Sequence, residues 1–202
     1  MARRPNEDRD LRLVEELLFA PRGLKLERFS QSETMAGRTP DFRVFQSGTI
    51  IAYCEVKSPR DDLLVDQLAA ALPGQLVGQP RPDPTFNRVA RHIEKAATQF
   101  DAVNSARSVP NFLVLVNHAE ASHWGDLWET LTGTFLEKGG KQFVTIPHIA
   151  RKIAQAQQRI DLFVWVDARD RRVQAHLFNR GCPNYVAQTC SLLGIDEATI
   201  KN

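Results

Sequence analysis

The sequence has little of what disulfide-stabilised, zinc-binding or membrane-spanning proteins need. It contains three cysteines, Cys54, Cys182 and Cys190, and no Cys-x-x-Cys pair. An odd count without that spacing supports neither a disulfide framework nor a zinc site. No apolar run approaches the roughly 20 residues of a transmembrane helix, and no apolar stretch follows the N-terminal arginines, as a secretory signal would require. We therefore expect a cytoplasmic protein with reduced cysteines and no membrane partner.

An excess of charge and the common nucleotide-binding loops are also missing. The chain has 26 basic and 24 acidic residues, a net charge of +2, which is too balanced to identify a nucleic-acid partner by itself. The patterns GxxxxGK[ST], GxGxxG, GxSxG and HExxH do not occur. Their absence argues against phosphate-binding loops, serine hydrolases and zinc proteases of those types.

The composition is that of an ordinary globular domain. The 202 residues are 43% hydrophobic and 25% charged, close to the average of folded proteins. A chain of this length can bury a sizeable core without disulfides or metals to hold it. We therefore expect one domain over residues 1–202.

Apolar spacing along the chain predicts alternating helices and strands. Helical spacing occurs over 8–19, 85–104, 122–135 and 147–158, and Ser58-Pro59 begins a further helix that carries Leu63 to Leu72. Alternating or continuous apolar runs predict strands over 24–30, 41–46, 49–57, 111–116, 160–166 and 173–178. Residues 31–39 and 73–84 are predicted to be loops, the second either a connector or a lid. This order indicates an α/β domain with a mixed sheet and helices on its faces.

The strand predicted over 49–57 carries the most informative residues. Glu55 and Lys57 lie two positions apart and therefore point to the same face of a strand. The opposite face is entirely apolar and is expected to face the core: Ile50, Ala52, Cys54 and Val56.

A hairpin turn at Ser47-Gly48 brings a second carboxylate to this strand. Residues whose numbers sum to 95 or to 96 then lie opposite each other, so Asp41 falls opposite Cys54 or Glu55. The second register puts Asp41 and Glu55 on one face with β-carbons about 5 Å apart. Such carboxylates repel unless one is protonated or a cation lies between them, and Mg²⁺ or Mn²⁺ prefers oxygen ligands of this kind. Lys57 could orient or deprotonate a water molecule, or stabilise charge on a phosphate.

Pro40-Asp41 and Glu55-Val56-Lys57 together resemble the motif of the PD-(D/E)XK nuclease superfamily. The order of one helix, three strands, a helix and a fourth strand over about 8–117 is similar to the αβββαβ core of that family. The resemblance implies a restriction-endonuclease-like fold, with residues 118–202 adding a C-terminal helix and two extra strands.

The resemblance also implies a Mg²⁺-dependent (or Mn²⁺-dependent) nuclease that hydrolyses phosphodiester bonds in DNA. Asp41, Glu55 and the Val56 carbonyl would hold the metal, and Lys57 would position the attacking water. The family often places an acidic residue on the first helix, for which Glu15 is favoured over Glu16 because it flanks the apolar face. A solvated surface glutamate is the alternative.

The helix predicted over 85–104 carries a polar flank that the resemblance connects with the site. Its members are Arg88, His92, Lys95 and Gln99. Gln99 is assigned to the catalytic set, with Gln67 on the preceding helix as a weaker alternative. The expected nucleic-acid contacts are Arg38, Arg60, Arg88, His92 and Lys95. A solvated helix flank explains the same pattern without function.

Two other interpretations remain open from the sequence. A nuclease-like fold can serve only to bind nucleic acid or protein. Alternatively, Glu55 and Lys57 form an ordinary strand-face ion pair worth about 0–1 kcal/mol, which predicts no cleft. If the protein cuts both DNA strands with one site per chain, it would need to act as a homodimer.

Overall fold

A mixed β-sheet with helices on both faces forms the centre of the protein. The computed structural model describes residues 5–59, 85–120, 122–136, 142–179 and 183–197. The helix predicted after Pro59, the 73–84 loop, and the residues Arg60, Gln67 and Cys182 lie outside the described residues.

The chain forms helices and strands in nearly regular alternation. The helices are α1 (Pro5–Val14), α2 (Gln31–Ala36), α3 (Thr85–Val103), α4 (Trp124–Thr132), α5 (Pro147–Gln157) and α6 (Val186–Leu193). The strands are β1 (Lys25–Arg28), β2 (Phe42–Gln46), β3 (Thr49–Lys57), β4 (Asn111–Asn117), β5 (Thr134–Leu136), β6 (Gln142–Val144), β7 (Leu162–Asp167) and β8 (Arg172–Phe178). After α1 the chain continues through a π-helical turn, Glu15–Phe19, and a 3₁₀ turn, Ala20–Arg22.

Six strands form the main sheet, in the order β1-β2-β3-β4-β7-β8. Strands β3, β4 and β7 are parallel to one another, while β1, β2 and β8 run antiparallel to their neighbours. The central parallel strands are apolar almost throughout, as expected for strands covered on both faces. Strands β5 and β6 form a separate two-stranded sheet.

The two faces of the main sheet pack against different helices. One face, with Val44, Cys54 and Val114, is covered by α1 and the π-helical turn that follows it. The other face, with Leu113 and Trp165, is covered by α3, α4 and α5. In the described part of the chain, no helix is long and apolar enough to cross a membrane.

The predicted α/β architecture is confirmed, with corrections at short elements. The polar segment 31–39 was expected to be a loop but contains α2, because Ser30 and Glu33 form a capping box at its start. The helix expected over 122–135 stops at Thr132, since Gly133 adopts a positive φ of 72°. Strands β5 and β6 and helix α6 were not predicted.

The β2–β3 hairpin turns at Ser47 and Gly48, both of which have positive φ values, as predicted. Near the turn the partners sum to 95, as in Phe45↔Ile50, and beyond it they sum to 96, as in Val44↔Ala52. Both predicted registers therefore occur, because a one-residue bulge at Ile51 separates them. The bulge also corrects the predicted core face, since Ile51 packs against the α1 core with Ala52, Cys54 and Val56, in the place expected for Ile50.

Candidate active site

Asp41 and Glu55 meet at the end of the β2–β3 hairpin. The Asp41 amide donates to Oε2 of Glu55 over 2.8 Å, and Oδ2 of Asp41 accepts a hydrogen bond from the Val56 amide over 2.9 Å. The carboxylate of each residue is thus held by a backbone N–H of the opposite strand. Extension of the 96 register from Phe42↔Cys54 puts Asp41 opposite Glu55, which is the second of the two predicted registers.

Lys57 forms an ion pair with Glu55 on the same face of β3. Its Nζ donates to Oε1 of Glu55. Glu55 is completely buried, whereas the Lys57 side chain retains 21% of its exposure. Burial lowers the pKa of Lys57, and the charge of Lys95 acts in the same direction, while Asp41 and Glu7 oppose the shift. The buried Glu55 charge is therefore balanced by an ammonium group that reaches toward solvent.

The donor set at this position suits a hard divalent cation. Asp41 and Glu55 supply carboxylate oxygens, and Val56 adds a backbone carbonyl at the same strand end. Oxygen donors of this number fit Mg²⁺ or Mn²⁺, which keep several water ligands. Within the described ranges, no group of three or more His, Cys, Asp or Glu side chains is arranged to hold a metal ion, so water and substrate oxygens would have to complete the coordination.

The first helix reaches the site through its early turns. Asp10 is 2% exposed, accepts a hydrogen bond from the Ser58 hydroxyl and lies 2.8 Å from Nε2 of His118. The charge of Glu7 acts on Lys57. Asp10 therefore ties α1 to the chain directly after β3 and to the residue directly after β4.

Glu15, the acidic residue favoured from the sequence, is not brought to this cluster. It is exposed and lies five residues beyond Asp10, about 7.5 Å farther along the helix axis. On α1, Asp10 contacts Ser58 directly after β3, and the charge of Glu7 acts on Lys57. Asp10 shares the i, i+4, i+8 stripe with Val14 and Leu18, and a carboxylate on an apolar stripe was the available signal.

Helix α3 lies beside the site and brings Gln99 and Lys95 to the cleft next to it. Nε2 of Gln99 donates to the Thr39 carbonyl over 2.7 Å, two residues before Asp41. This contact makes Gln99 a residue that positions the chain entering the site.

His92 and Arg88 precede Lys95 on the same flank of α3. Burial lowers the pKa of His92 to about 4, and the positive charges of Lys57, Lys95, Arg91 and Arg88 act in the same direction. His92 is thus a neutral imidazole at neutral pH, in a region of concentrated positive charge. Arg88 donates to the Thr85 hydroxyl over 3.3 Å.

A cleft of about 800 Å³ opens beside Lys57. Its lining includes four cationic side chains and one carboxylate: Arg38, Lys57, Arg91, Lys95 and Glu94. The other lining residues in the described part of the chain are polar or small: Thr34, Gly37, Thr39, Thr98 and Gln99. Of the residues predicted to bind nucleic acid, Arg38 and Lys95 line this cleft.

Arg91 is a cleft residue that sequence reasoning missed. It shares an i, i+4, i+7 stripe of α3 with Thr98 and with Lys95, which also belongs to the predicted polar flank. The stripe could be recognised only after α2 and the segment before Asp41 were known to face it.

Comparison of the chain with protein-family models, curated proteins and solved structures finds no match.

Proposed function

We propose that the protein is a metal-dependent nuclease of the PD-(D/E)XK type that hydrolyses phosphodiester bonds in DNA. The observation that carries this proposal is the junction of two backbone-held carboxylates, Asp41 and Glu55, with Lys57, which lines a cationic cleft. The choice of DNA follows from the motif resemblance.

The arrangement of elements supports a restriction-endonuclease-like core. Helix α1 covers one face of the β2–β3–β4 sheet and α3 covers the other, while β3 pairs in parallel with β4. The motif residues lie at the carboxyl end of β3, next to the end of β4. Strands β7 and β8 extend the same sheet and would be additions to that core.

The buried free thiols of Cys54 and Cys190 agree with a cytoplasmic location.

The proposed reaction adds water across one P–O bond, with the hydroxyl going to phosphorus and the proton to the leaving oxygen. Asp41, Glu55 and the Val56 carbonyl would hold a divalent cation, which neutralises phosphate charge and lowers the pKa of a bound water. Lys57 would orient the attacking water or stabilise the charge that develops on the phosphate. Its ion pair with Glu55 keeps the ammonium at the strand end, and Gln99 holds the segment that leads to Asp41.

The cleft distinguishes this proposal from a simple strand-face ion pair. An ion pair between Glu55 and Lys57 requires no opening to solvent, yet Lys57 lines a cleft with Arg38, Arg91 and Lys95. A simple ion pair between Glu55 and Lys57 would also not explain why the Asp41 amide donates to the Glu55 carboxylate.

The test is cleavage of supercoiled plasmid and of single-stranded DNA in Mg²⁺, Mn²⁺ or EDTA. We expect cleavage by the wild-type protein with either metal, none in EDTA, and loss of at least 100-fold in Asp41→Ala and Lys57→Ala. Arg172→Gln, on β8 at the far edge of the sheet, is the control and should cut normally. No cleavage of either substrate, together with no Mn²⁺ binding in a titration, would overturn the proposal and favour a binding module.

A further inference from the structure

The cleft beside Lys57 has two walls of different origin. Helix α3 forms one wall with Arg91, Lys95 and Thr98, and the segment from α2 to Asp41 forms the other. The second wall includes Thr34 and Arg38. Lys57 lines the same cleft, so anything bound there has direct access to the candidate catalytic lysine.

The α2 wall is fixed to the rest of the molecule. Arg43 on β2 forms an ion pair with Glu33 of α2, and its guanidinium lies 3.8 Å from the centre of the Phe29 ring. Hydrogen bonds from Arg43 and, to a smaller extent, from Ser30 lower the pKa of Glu33 to about 2. At the other end of the segment, Gln99 holds the Thr39 carbonyl. The cleft is therefore a built feature whose walls are tied to β2 and α3.

The chemistry of the lining selects for phosphate. Four cations face one carboxylate, and the lining contains no aromatic side chain among the residues that the structure describes. The hydroxyls of Thr34 and Thr98 donate to carbonyls of their own helices, at 2.9 Å and 3.0 Å. Binding would therefore rest on charge. Many single-strand binders stack bases on aromatic rings, but the described lining residues offer no ring for such stacking.

The size of the cleft favours one strand over two. About 800 Å³ is the volume of a pocket that buries a small ligand. The backbone of one strand can lie along such a space, whereas a duplex, whose two backbones are set apart by its grooves, would contact only its rim. Contacts to phosphates alone also carry no sequence information.

We propose that this cleft binds a single nucleic-acid strand through its phosphates, without regard to base sequence, and delivers it to Lys57. Arg91 and Lys95 from α3 and Arg38 from the α2 wall are the phosphate-binding residues. The inference rests on the proposed nuclease function for its purpose, but the binding itself requires no catalysis.

The test is fluorescence anisotropy with labelled 12-nucleotide single strands in EDTA, where no metal-dependent cleavage takes place. We expect mixed-sequence, poly-dT and poly-dA strands to bind within about threefold of one another, and a duplex of the same length to bind at least tenfold more weakly. The double variant Arg91→Gln/Lys95→Gln should lose at least tenfold in single-strand affinity. Its slope of log affinity against log salt should fall by about 1.4, since each lost phosphate contact contributes about 0.7.

Arg172→Gln is the matched control and should bind single strands like the wild-type protein. Arg91 and Lys95 are exposed on α3, so the double variant is expected to fold, which circular dichroism checks. Unchanged single-strand affinity in the folded double variant, or duplex binding as tight as single-strand binding, would overturn the proposal. If no metal supports cleavage but the double variant loses binding, the cleft proposal stands and the nuclease proposal fails. If the wild-type protein cleaves DNA but the double variant binds single strands normally, the nuclease proposal stands and the cleft proposal fails.

Discussion

The backbone amide of Asp41 donates to the Glu55 carboxylate over 2.8 Å, so the main chain itself brings the two acidic residues together. The return contact, from the Val56 amide to Asp41 over 2.9 Å, makes the arrangement reciprocal. Two carboxylates held in this way repel each other unless a cation joins them. Lys57 supplies a cation in the structure, and under the proposed function a divalent ion would add a second.

Divalent cations should therefore stabilise the protein through Asp41. At 100 times its dissociation constant, a ligand that binds only the folded state adds about 2.7 kcal/mol to the free energy of unfolding. For a chain of this size that raises Tm by roughly 5–10 °C. We expect this rise in Tm with Mn²⁺ in the wild-type protein and a rise of less than about 2 °C in Asp41→Asn, which corresponds to less than about 1 kcal/mol. Differential scanning calorimetry measures both. Equal shifts in both proteins would show that the ion binds elsewhere.

Removal of the Asp10 carboxylate should lower the free energy of unfolding far more than removal of the Asp8 carboxylate. Asp10→Ala leaves the Ser58 hydroxyl and the His118 ring without their buried partner, for which we expect a loss of about 2–3 kcal/mol in the free energy of unfolding. Asp8 also lies on α1 but pairs with Arg28 at the surface, with 49% of its side chain exposed. Asp8→Ala should cost less than about 1 kcal/mol. Urea unfolding measures both, and similar losses would contradict the account of Asp10.

Stability should fall as the pH drops from 6.5 to 4, in part because of His92. Its pKa is lowered to about 4 in the folded protein, whereas the unfolded chain binds a proton near pH 6.5. In that window the unfolded state therefore holds more protons, and the free energy of unfolding decreases toward acid. Over the whole window, the lowered pKa of His92 reduces the free energy of unfolding by about 3 kcal/mol. His176, whose pKa is also lowered to about 4, adds a second contribution of the same sign.

His92→Gln should accordingly flatten the acid-side loss without removing it. Urea unfolding at several pH values between 7 and 4 measures the change, with His148→Gln as the control because His148 is exposed on α5. A His92→Gln protein that loses stability as steeply as the wild-type protein would contradict the burial and charge environment described for His92.

Gln99 should act on turnover through the placement of Asp41. In Gln99→Leu the Thr39 carbonyl loses its donor, and under the proposed function a misplaced Asp41 carboxylate lowers the rate. We expect kcat to fall about tenfold with KM nearly unchanged, and the Mn²⁺-dependent rise in Tm to shrink.

Thr98→Val is the matched control for Gln99, because Thr98 is the adjacent cleft residue and its hydroxyl bonds within α3. Its kcat should stay close to that of the wild-type protein. If Gln99→Leu raises KM while kcat and the Mn²⁺ effect on Tm stay unchanged, Gln99 binds substrate and does not position Asp41.

The sequence predicted the hairpin, its two registers and the Asp41–Glu55–Lys57 set because these features are local. The turn at Ser47-Gly48 and the alternation along β3 are visible within about 20 residues. The choice between registers was not visible, since it depends on the bulge at Ile51, a residue that packs against the core on the α1 side of the sheet.

The remaining parts of the site depend on contacts between distant segments. Asp10 and His118 are 108 positions apart, and Gln99 and Thr39 are 60 apart. The apolar stripe of α1 marks Asp10 as a residue to be buried, but no periodicity within one helix could place Asp10 beside the end of β3 or identify Arg91 as a cleft residue. Both assignments require knowledge of which end of α1, and which side of α3, faces the end of β3.

The measurement that tests the nuclease proposal most directly is single-turnover cleavage of an end-labelled single strand over a range of Mn²⁺ concentrations. The wild-type protein is compared with Asp41→Asn, which keeps the size of the side chain but removes its charge. We predict cleavage that rises with Mn²⁺ to saturation in the wild-type protein, stays at wild-type level in Arg172→Gln, and falls at least 100-fold in Asp41→Asn. Equal cleavage by the wild-type protein and Asp41→Asn at every Mn²⁺ concentration would contradict the assignment of the site.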